Sequence, residues 1–276
     1  MKTMSDLLPA PQPTDFAAYL SSQTSLLLAL GLLGLVLLAR KYKCCHRCCG
    51  AKGLKLTYFA IPGRAEPIRL AFAIGGIKFT DERISGDEWK ARKPTMPFGQ
   101  LPVLYADGCE PLAQSMAILR YAAKRSGLYP CCSSWLAAKL DSIVFLVEDM
   151  FGEIKPTFSL AGDEQIAARK ALLLEGGGLA KQWAHIENQL KASTTPFLVG
   201  TKLTIADVVV FSMAAQLASG WLDGIDSSFL NKYPRVKEHK AMIASLPQVR
   251  KFYAEMPVVT KEAWAAASID IRAFTQ

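Results

Sequence analysis

Hydrophobic residues are concentrated near the start of the chain. Residues 16–39 contain no charged side chain, and residues 26–39 are almost entirely apolar. About 20 consecutive apolar residues are enough to cross a lipid bilayer. We therefore predict a single transmembrane helix over residues 16–39, preceded by a disordered, proline-containing tail over residues 1–15. The alternatives are a buried helix and a cleaved signal peptide, although a signal peptide normally has a basic start and a small-residue cleavage site.

Basic residues follow this apolar run immediately. Residues 1–55 contain seven lysines and arginines and two aspartates, so they carry +5 of the total formal charge of +8. Because positive flanks of a membrane helix stay on the cytoplasmic side, we expect the basic linker, residues 40–53, and everything after it to face the cytosol. The endoplasmic reticulum, another endomembrane and the outer mitochondrial membrane all fit. Charge placed beside a membrane span is attracted to anionic lipid and does not indicate nucleic-acid binding.

Four of the seven cysteines lie in this linker, at Cys44, Cys45, Cys48 and Cys49. Cysteines beside a membrane span and basic residues are typical of S-acylation sites. Unmodified thiols and a metal site are the alternatives, but structural zinc sites usually combine ligand pairs from separated segments. We expect S-acylation and no metal requirement. A cytosolic location also predicts reduced thiols in the rest of the chain.

An alternating pattern of apolar and polar residues begins after the linker. Residues 55–60 alternate as a half-buried strand does and are rich in residues that favour strands. A proline and a glycine end this run. Residues 64–74 then carry apolar side chains at helical spacing, with Pro67 in the first turn, where proline is tolerated. This part of the chain is therefore predicted to open with a strand, a turn and a helix.

Mixed strands and helices are predicted as far as residue 126. The segments are strands over 77–82, 102–105 and 110–112, a hairpin turn at Asp107-Gly108, a short polar helix or turn over 87–93, a loop over 94–100 and a helix over 114–126. A β-α-β order followed by β-β-α is typical of a thioredoxin-like unit. We therefore predict an α/β thioredoxin-like N-terminal domain with a four-stranded mixed sheet over residues 54–129.

Helical periodicity dominates the second half of the chain. Helices are predicted over residues 134–154, 165–174, 179–192, 204–219, 229–245 and 247–255. No strand pattern recurs, so we predict an all-α C-terminal domain over residues 130–276. Thr204 and Asp207 have the spacing of a capping box, which we interpret as structural.

Tyr58 is the first candidate for chemistry. It lies at the carboxyl end of the predicted strand, before the turn that leads into a helix. Small ligands bind at such positions in α/β proteins. The alternative is that Tyr58 only packs in the core, like its neighbour Phe59, and the position alone does not decide between the two.

Several motifs after residue 53 resemble those of one enzyme family. In chain order they are LTYF with GRAE, EWKARK, PFGQLPVL, QSMAILRY and GTKLTIAD. Each is weak alone, but their order is specific. From residue 54 onward the chain resembles the cytosolic glutathione transferases, and it is most similar to their tyrosine-type, sigma-like group, which includes haematopoietic prostaglandin D synthase. Residues 1–53 have no counterpart in the soluble members.

The resemblance implies that Tyr58 is the catalytic residue. Glutathione reacts as a thiolate, and its free thiol is mostly protonated at neutral pH. A phenol that donates a hydrogen bond to the sulfur would favour the anion. The resemblance also implies that Arg64, beside the tyrosine, adjusts the site electrostatically or structurally.

The same resemblance implies where the rest of the tripeptide binds. Pro102 would be a cis-proline, so that the backbone of Leu101, in the segment that begins with Gln100, pairs with the cysteinyl backbone of glutathione. Gln114 and Ser115 open a helix, where amides and a hydroxyl would hold the γ-glutamyl end. An ordinary trans proline and simple helix capping are the alternatives.

Three further residues match family positions near glutathione. Trp89 and Lys93 match positions near the glycyl end, where a cation can pair with the carboxylate. Asp149 matches an aspartate that reaches the glutathione of the partner subunit in related homodimers. The alternative for Asp149 is an ordinary charge on a solvated helix face or at an interface.

The implied function is conjugation of glutathione, as co-substrate, to a hydrophobic electrophile. The helical domain would set the specificity, through Phe151, Trp221 and the tail around Trp264. One alternative is a glutathione-dependent isomerase or peroxidase acting on lipids. Another is a non-catalytic membrane-associated binding protein, because the intracellular chloride channel family combines this fold with membrane association. That family carries a cysteine near the position of Tyr58, which favours the enzyme here.

Overall fold

The structure is a computed structural model, and it describes residues 52–276. The predicted tail, the predicted transmembrane helix over residues 16–39 and the cysteine-containing linker lie outside the described residues. Within residues 52–276, no helix combines the length and the apolar character that crossing a membrane requires.

A four-stranded mixed sheet forms the first part of the fold, as predicted. Strand β1 pairs in parallel with β2 and antiparallel with β3, which pairs antiparallel with β4, so the strand order is β2-β1-β3-β4. The strands are β1 (Lys55–Phe59), β2 (Thr80–Ile84), β3 (Val103–Tyr105) and β4 (Leu112–Ala113). This is the thioredoxin-like arrangement, and it places β1 in the interior of the sheet.

Three α-helices and three short 3-10 turns accompany these strands, and α3 follows the last of them. The helices are α1 (Glu66–Ile74), α2 (Gly86–Arg92) and α3 (Ser115–Arg125), and the turns are Gly63–Ala65, Lys93–Thr95 and Pro97–Gly99. The prediction placed the second strand too early. Apolar residues at 77 and 79 suggested a strand, but the Ile77 N–H donates to the Phe72 carbonyl at 2.9 Å and so belongs to the end of α1.

Eight helices form the remaining part. They are α4 (Ser134–Ile154), α5 (Gly162–Leu172), α6 (Gly178–Ala192), α7 (Ile205–Ala218), α8 (Pro234–Ala244), α9 (Pro247–Ala254), α10 (Val258–Ala266) and α11 (Arg272–Thr275), with 3-10 turns at Lys155–Ser159 and Ser227–Lys232. The single helix predicted over 229–245 was wrong, because Pro234 starts a new helix. Helix α10 was not predicted, since its first residues, Val258 and Val259, are 69% and 71% exposed and obscure the helical periodicity.

Helix α7 is the centre of the helical part. Residues 205–217 are all buried, and the helix packs against α4 and α8 on its own side and against α1 of the sheet-containing part. A helix that is hydrophobic on every side is buried in the core of a protein. The two parts therefore share one continuous core.

The predicted capping residue Asp207 is confirmed as structural. Its carboxylate is fully buried and accepts hydrogen bonds from the Thr204 N–H at 2.8 Å, the Leu198 N–H at 2.9 Å and the Thr204 hydroxyl at 2.9 Å. His239 of α8 lies 3.0 Å away through Nε2. One side chain thus ties the start of α7 to the preceding loop and to α8.

We expect Asp207→Ala to lower the free energy of unfolding by about 3–5 kcal/mol, because it leaves several buried donors without an acceptor. Urea unfolding followed by circular dichroism measures this. Asp226→Ala is the matched control, because Asp226 is an exposed cap that accepts from the Ser228 N–H at 2.7 Å, and its loss should cost only about 1 kcal/mol. Equal losses for the two variants would contradict the interpretation.

Candidate functional site

Tyr58 lies near the carboxyl end of strand β1, next to the loop that follows the strand. The ring is 7% exposed, and its hydroxyl oxygen accepts a hydrogen bond from the Arg64 N–H at 3.3 Å. Gly63 lies against the ring with φ +48°, and a Cβ added there would lie 2.5 Å from the hydroxyl oxygen. Glycine is therefore required at position 63 both for its backbone conformation and for the space that the phenol occupies.

The protonation state of Tyr58 is set mainly by burial. Burial raises the pKa of its hydroxyl above the usual value, although the Arg64 N–H and the positive charges of Arg69 and Arg64 act in the opposite direction. The phenol thus stays protonated at neutral pH. Because its oxygen already accepts the Arg64 N–H, its own proton remains available to a ligand atom, so Tyr58 is arranged as a hydrogen-bond donor.

A cleft of about 510 Å³ opens between the loop after β1, the segment before β3, the start of α3 and the end of α4. It brings together seven of the residues predicted for the site. These are Arg64, Trp89, Gln100, Leu101, Pro102, Gln114 and Ser115. Residues separated by about 50 positions in the sequence are thus gathered around one space, next to the loop that holds the phenol.

The segment before β3 has the predicted backbone form. The Leu101–Pro102 peptide bond is cis. Gln114, which precedes α3, has φ +72°, and its side-chain amide donates to the Gln100 side-chain oxygen at 3.1 Å. Non-glycine residues with positive φ are uncommon and are enriched at ligand sites.

Helix α3 begins at Ser115, at the wall of this cleft. The helix has eleven residues, and Gln114 and Ser115 at its N-terminus both line the cleft. Ser115 is 7% exposed. The partial positive charge of a helix N-terminus favours a carboxylate, so this wall of the cleft can hold the acidic end of a ligand.

Trp89 and Lys93 lie beside each other. The Lys93 ammonium is 6.0 Å from the centre of the Trp89 ring, and that ring meets the edge of Phe59 at 6.0 Å between centroids. Trp89 lines the cleft, and Lys93 is exposed beside it. The proposed glycyl carboxylate role of both residues stays a prediction.

Glu148 is a site residue that the sequence did not single out. Its carboxylate forms an ion pair with the Arg64 guanidinium, which also stacks at 4.9 Å on the ring of Phe151. Asp149, which was singled out, is exposed and does not line the cleft within the described residues. Its role towards a partner subunit stays a prediction. Helical spacing from Phe151 would have indicated the face of α4 that carries Glu148.

Arg69 was also missed, and it holds the loop after Tyr58. This fully buried guanidinium donates to the carbonyls of Phe59, Ile61 and Pro62 at 2.9–3.2 Å. It is neutralised by Glu66 at 3.1 Å and by Asp81 at 3.0 Å. An arginine on the apolar face of a predicted helix was the available indication, since such a residue must find partners when buried.

Glu66 extends this network into the helical part. Its second carboxylate oxygen accepts a hydrogen bond from the hydroxyl of Tyr253, in α9, at 2.8 Å. Burial and the negative charge of Glu66 both raise the pKa of Tyr253 well above its usual value, so this phenol remains the donor. The loop that carries the site is thus tied to both parts of the fold.

Aromatic side chains line the outer end of the cleft. Phe151 and Phe158 contribute to its wall, and Trp221 lies 6.0 Å from Phe158 between ring centroids. The expectation for Trp264 was wrong. Its side chain is 1% exposed, because the unpredicted helix α10 that carries it packs inward, with the Trp264 ring against Tyr253 of α9 and Phe274 of α11.

No metal site was found in the part of the chain that the structure describes, where no three His, Cys, Asp or Glu side chains are placed to hold an ion. The described cleft offers hydrogen-bond donors, cations and the N-terminus of α3. These groups fit a ligand with separate acidic ends and a central atom that gains negative charge near Tyr58.

Sequence and structure comparisons identify the relatives of this chain. The family model for the glutathione S-transferase N-terminal domain matches residues 54–124, and the model for the C-terminal domain matches residues 148–256. Probable glutathione S-transferase 7 of Caenorhabditis elegans is 34% identical over 209 residues, which cover 74% of this chain and 97% of the relative.

Solved structures agree with this assignment. The glutathione S-transferase from Ascaris lumbricoides is 34% identical with a TM-score of 0.63, and the match covers 75% of this chain and 99% of that one. Prostaglandin synthase D of Nilaparvata lugens is 28% identical with a TM-score of 0.66, covering 75% of this chain and all of that one. The chain therefore belongs to the glutathione S-transferase family.

Proposed function

We propose that this glutathione S-transferase joins the glutathione thiolate to hydrophobic electrophiles in the cleft beside Tyr58. The observation that carries the proposal is the buried Tyr58 hydroxyl, which accepts from the Arg64 N–H and keeps its own proton for a ligand. The family uses glutathione as a co-substrate, and the sulfur is the atom of glutathione that must gain negative charge.

The reaction then needs little more than a positioned thiolate. The Tyr58 O–H donates to the sulfur, which lowers the pKa of the thiol and leaves the anion ready to attack. The electrophile binds on the aromatic side of the cleft, against Phe151 and Phe158. The sulfur forms a bond to the electrophilic carbon while the leaving group departs with its electron pair.

The remaining parts of glutathione match the other walls of the cleft. The N-terminus of α3 with Gln114 and Ser115 would hold the γ-glutamyl carboxylate, and the backbone of Leu101 would pair with the cysteinyl residue. Trp89 and Lys93 would lie near the glycyl carboxylate. We further propose a homodimer in which Asp149, exposed on α4, approaches the glutathione of the partner subunit.

We expect Gln114→Glu to raise KM for glutathione about tenfold with less than a threefold change in kcat. The added carboxylate would repel the γ-glutamyl carboxylate but lies away from the sulfur, and tenfold corresponds to about 1.4 kcal/mol of binding. Initial rates with a chlorinated dinitrobenzene measure both constants. Gln248→Glu places the same charge on the exposed surface of α9 and should change neither. An unchanged KM for glutathione in Gln114→Glu would contradict the proposal that the γ-glutamyl end binds at this wall.

A glutathione-dependent isomerase of lipid substrates is the second candidate. It is favoured by the likeness to the Nilaparvata lugens structure whose name is prostaglandin synthase D. The two reactions differ in stoichiometry, because conjugation consumes one thiol for each product and isomerisation consumes none. Titration of free thiol during turnover of a cyclic lipid endoperoxide separates them.

We also propose that the enzyme works at the cytosolic surface of a membrane, where lipophilic substrates accumulate. The support is the charge-free run over residues 16–39 followed by a basic segment. The full chain should sediment with membranes after high-salt washing. Deleting residues 1–53 should release it and lower its turnover of lipid substrates, and unchanged turnover of such substrates would contradict the proposal.

A further inference from the structure

Two adjacent cysteines lie in the segment that joins α3 to α4. The sulfur atoms of Cys131 and Cys132 are 3.2 Å apart, and both side chains are exposed. A disulfide bond is about 2.05 Å long, so the pair consists of two thiols in contact. Neither residue lines the cleft beside Tyr58. The proposed transferase reaction therefore leaves this pair of thiols without a role.

The segment that carries the two thiols is fixed on both sides. Before it, the Leu128 carbonyl accepts a hydrogen bond from the Ile205 N–H at 2.9 Å. The Tyr129 hydroxyl donates to the Asp141 carboxylate, in α4, at 3.0 Å. After it, Ser133 caps the 21-residue helix α4. Because the backbone is held in this way, the thiols are close together before any ligand arrives, which reduces the ordering cost of a ligand that bridges them.

Adjacent cysteines are poorly placed for a disulfide bond with each other. The peptide bond between Cys131 and Cys132 is trans, and consecutive Cα atoms across a trans peptide are about 3.8 Å apart. Disulfides usually join Cα atoms that are about 4.4–6.8 Å apart. An atom that bonds to both sulfurs at once does not require the sulfurs to approach each other so closely. The pair is therefore better suited to a bridging ligand than to direct oxidation.

The number of protein ligands limits which element can bridge the sulfurs. Structural zinc usually needs four protein ligands, but within residues 52–276 no group of three His, Cys, Asp or Glu side chains is gathered around one point. Thiolates select soft elements. A trivalent arsenic atom that already carries one carbon substituent is soft and has two bonds left to form. Two thiols in contact therefore satisfy it completely, with no third ligand.

We propose that Cys131 and Cys132 form a binding site for organic compounds of trivalent arsenic. With an arylarsonous acid, each sulfur forms one bond to the arsenic, and each of the two arsenic hydroxyls leaves as water with one thiol proton. Arsenic stays trivalent, so the step needs no oxidant or reductant. The opposing explanation is that the two thiols react independently of each other, as the exposed Cys109 does.

Titration of the full chain with phenylarsonous acid tests the proposal. The linker also contains adjacent cysteines, so the experiment uses a chain that carries Cys44→Ser, Cys45→Ser, Cys48→Ser and Cys49→Ser. Mass spectrometry should show one phenylarsenic group on each chain, and titration of thiols should show that two have been consumed. A small dithiol such as 2,3-dimercaptopropanol should remove the group, because it offers the arsenic the same two bonds.

Single substitutions in the same chain show whether both thiols are needed. Cys131→Ser and Cys132→Ser should each weaken binding of the arsenical about a hundredfold or more, because two linked contacts typically gain about 10²–10⁴ over one. Cys109→Ser is the matched control, since it removes another exposed thiol, and it should change neither the affinity nor the stoichiometry. Binding that requires both Cys131 and Cys132 supports the proposal. Unchanged affinity in either of their variants, or no phenylarsenic group on the chain, overturns it.

Discussion

Tyr58→Phe is expected to lower kcat about 10²–10³-fold at saturating glutathione. The substitution removes one hydrogen-bond donor aimed at the atom that becomes negative, and loss of one such donor typically has an effect of this size. Binding of glutathione should change little, because we propose that its two acidic ends contact other walls of the cleft. Stopped-flow and steady-state rates with a chlorinated dinitrobenzene measure the loss, and calorimetry measures the binding.

The pH dependence of the same variant identifies the cause. Since burial raises the pKa of Tyr58, the phenol stays protonated across the working range. At saturating glutathione, a rise with pH in kcat/KM for the electrophile therefore reports the bound thiol. Removing the donor destabilises the thiolate, so this rise should move to higher pH, towards the value of about 8.5 for a free thiol.

Tyr105→Phe is the matched control for the loss of a hydroxyl. The Tyr105 hydroxyl contacts the Met96 sulfur at 3.2 Å and lies outside the cleft. Its removal should leave both kcat and the pH profile unchanged. A Tyr58→Phe enzyme with an unaltered pH profile would show that thiolate formation depends on another group.

The second large effect is expected at Arg69. Arg69→Met should lower the free energy of unfolding by about 3–5 kcal/mol, because Glu66 would remain buried without its cation. The carbonyls of Phe59, Ile61 and Pro62 would also lose their donor, so the loop that holds Tyr58 would no longer be fixed. Urea unfolding and activity at low temperature, where the variant stays folded, measure the two consequences separately.

Arg83→Met provides the comparison for Arg69. Arg83 pairs with the same Asp81 at 2.8 Å, but its described contacts do not reach the loop after Tyr58. Arg83→Met should lower the free energy of unfolding without changing the pH profile of kcat/KM of the folded enzyme. If both variants altered activity equally, the effect would follow from the charge balance at Asp81 and not from the loop.

The sequence allowed the strands, most helices and much of the cleft to be predicted. Alternation around Tyr58 and helical periodicity in α4 are local patterns, and the structure confirms both elements. The motifs that carry the family resemblance supplied the residues that line the cleft, including the cis-proline segment at Pro102. The two elements were predictable because each depends on neighbours that are close in the sequence, whereas the cleft residues were predicted from the resemblance.

Features that depend on residues far apart in the sequence could not be predicted from the sequence. The Arg64–Glu148 ion pair joins residues 84 positions apart, and Tyr253 meets Glu66 across 187 positions. Helical spacing indicates which face of α4 carries Glu148, but no local pattern tells that this face meets an arginine in another part of the fold. Trp264 was misplaced because α10, which carries it, was not predicted, and its ring packs between Tyr253 of α9 and Phe274 of α11.

The bond between Tyr253 and Glu66 also has a consequence for how the enzyme is made. During synthesis the sheet-containing part leaves the ribosome first, at about 5–20 residues per second. Glu66 is therefore synthesised almost 190 residues before Tyr253, whose hydroxyl donates to it in the folded protein. Glu66 therefore gains this hydrogen bond only after α9 has emerged and docked. A nascent chain that stalls before α9 would contain every proposed glutathione contact and still lack this buried bond beneath the loop after Tyr58.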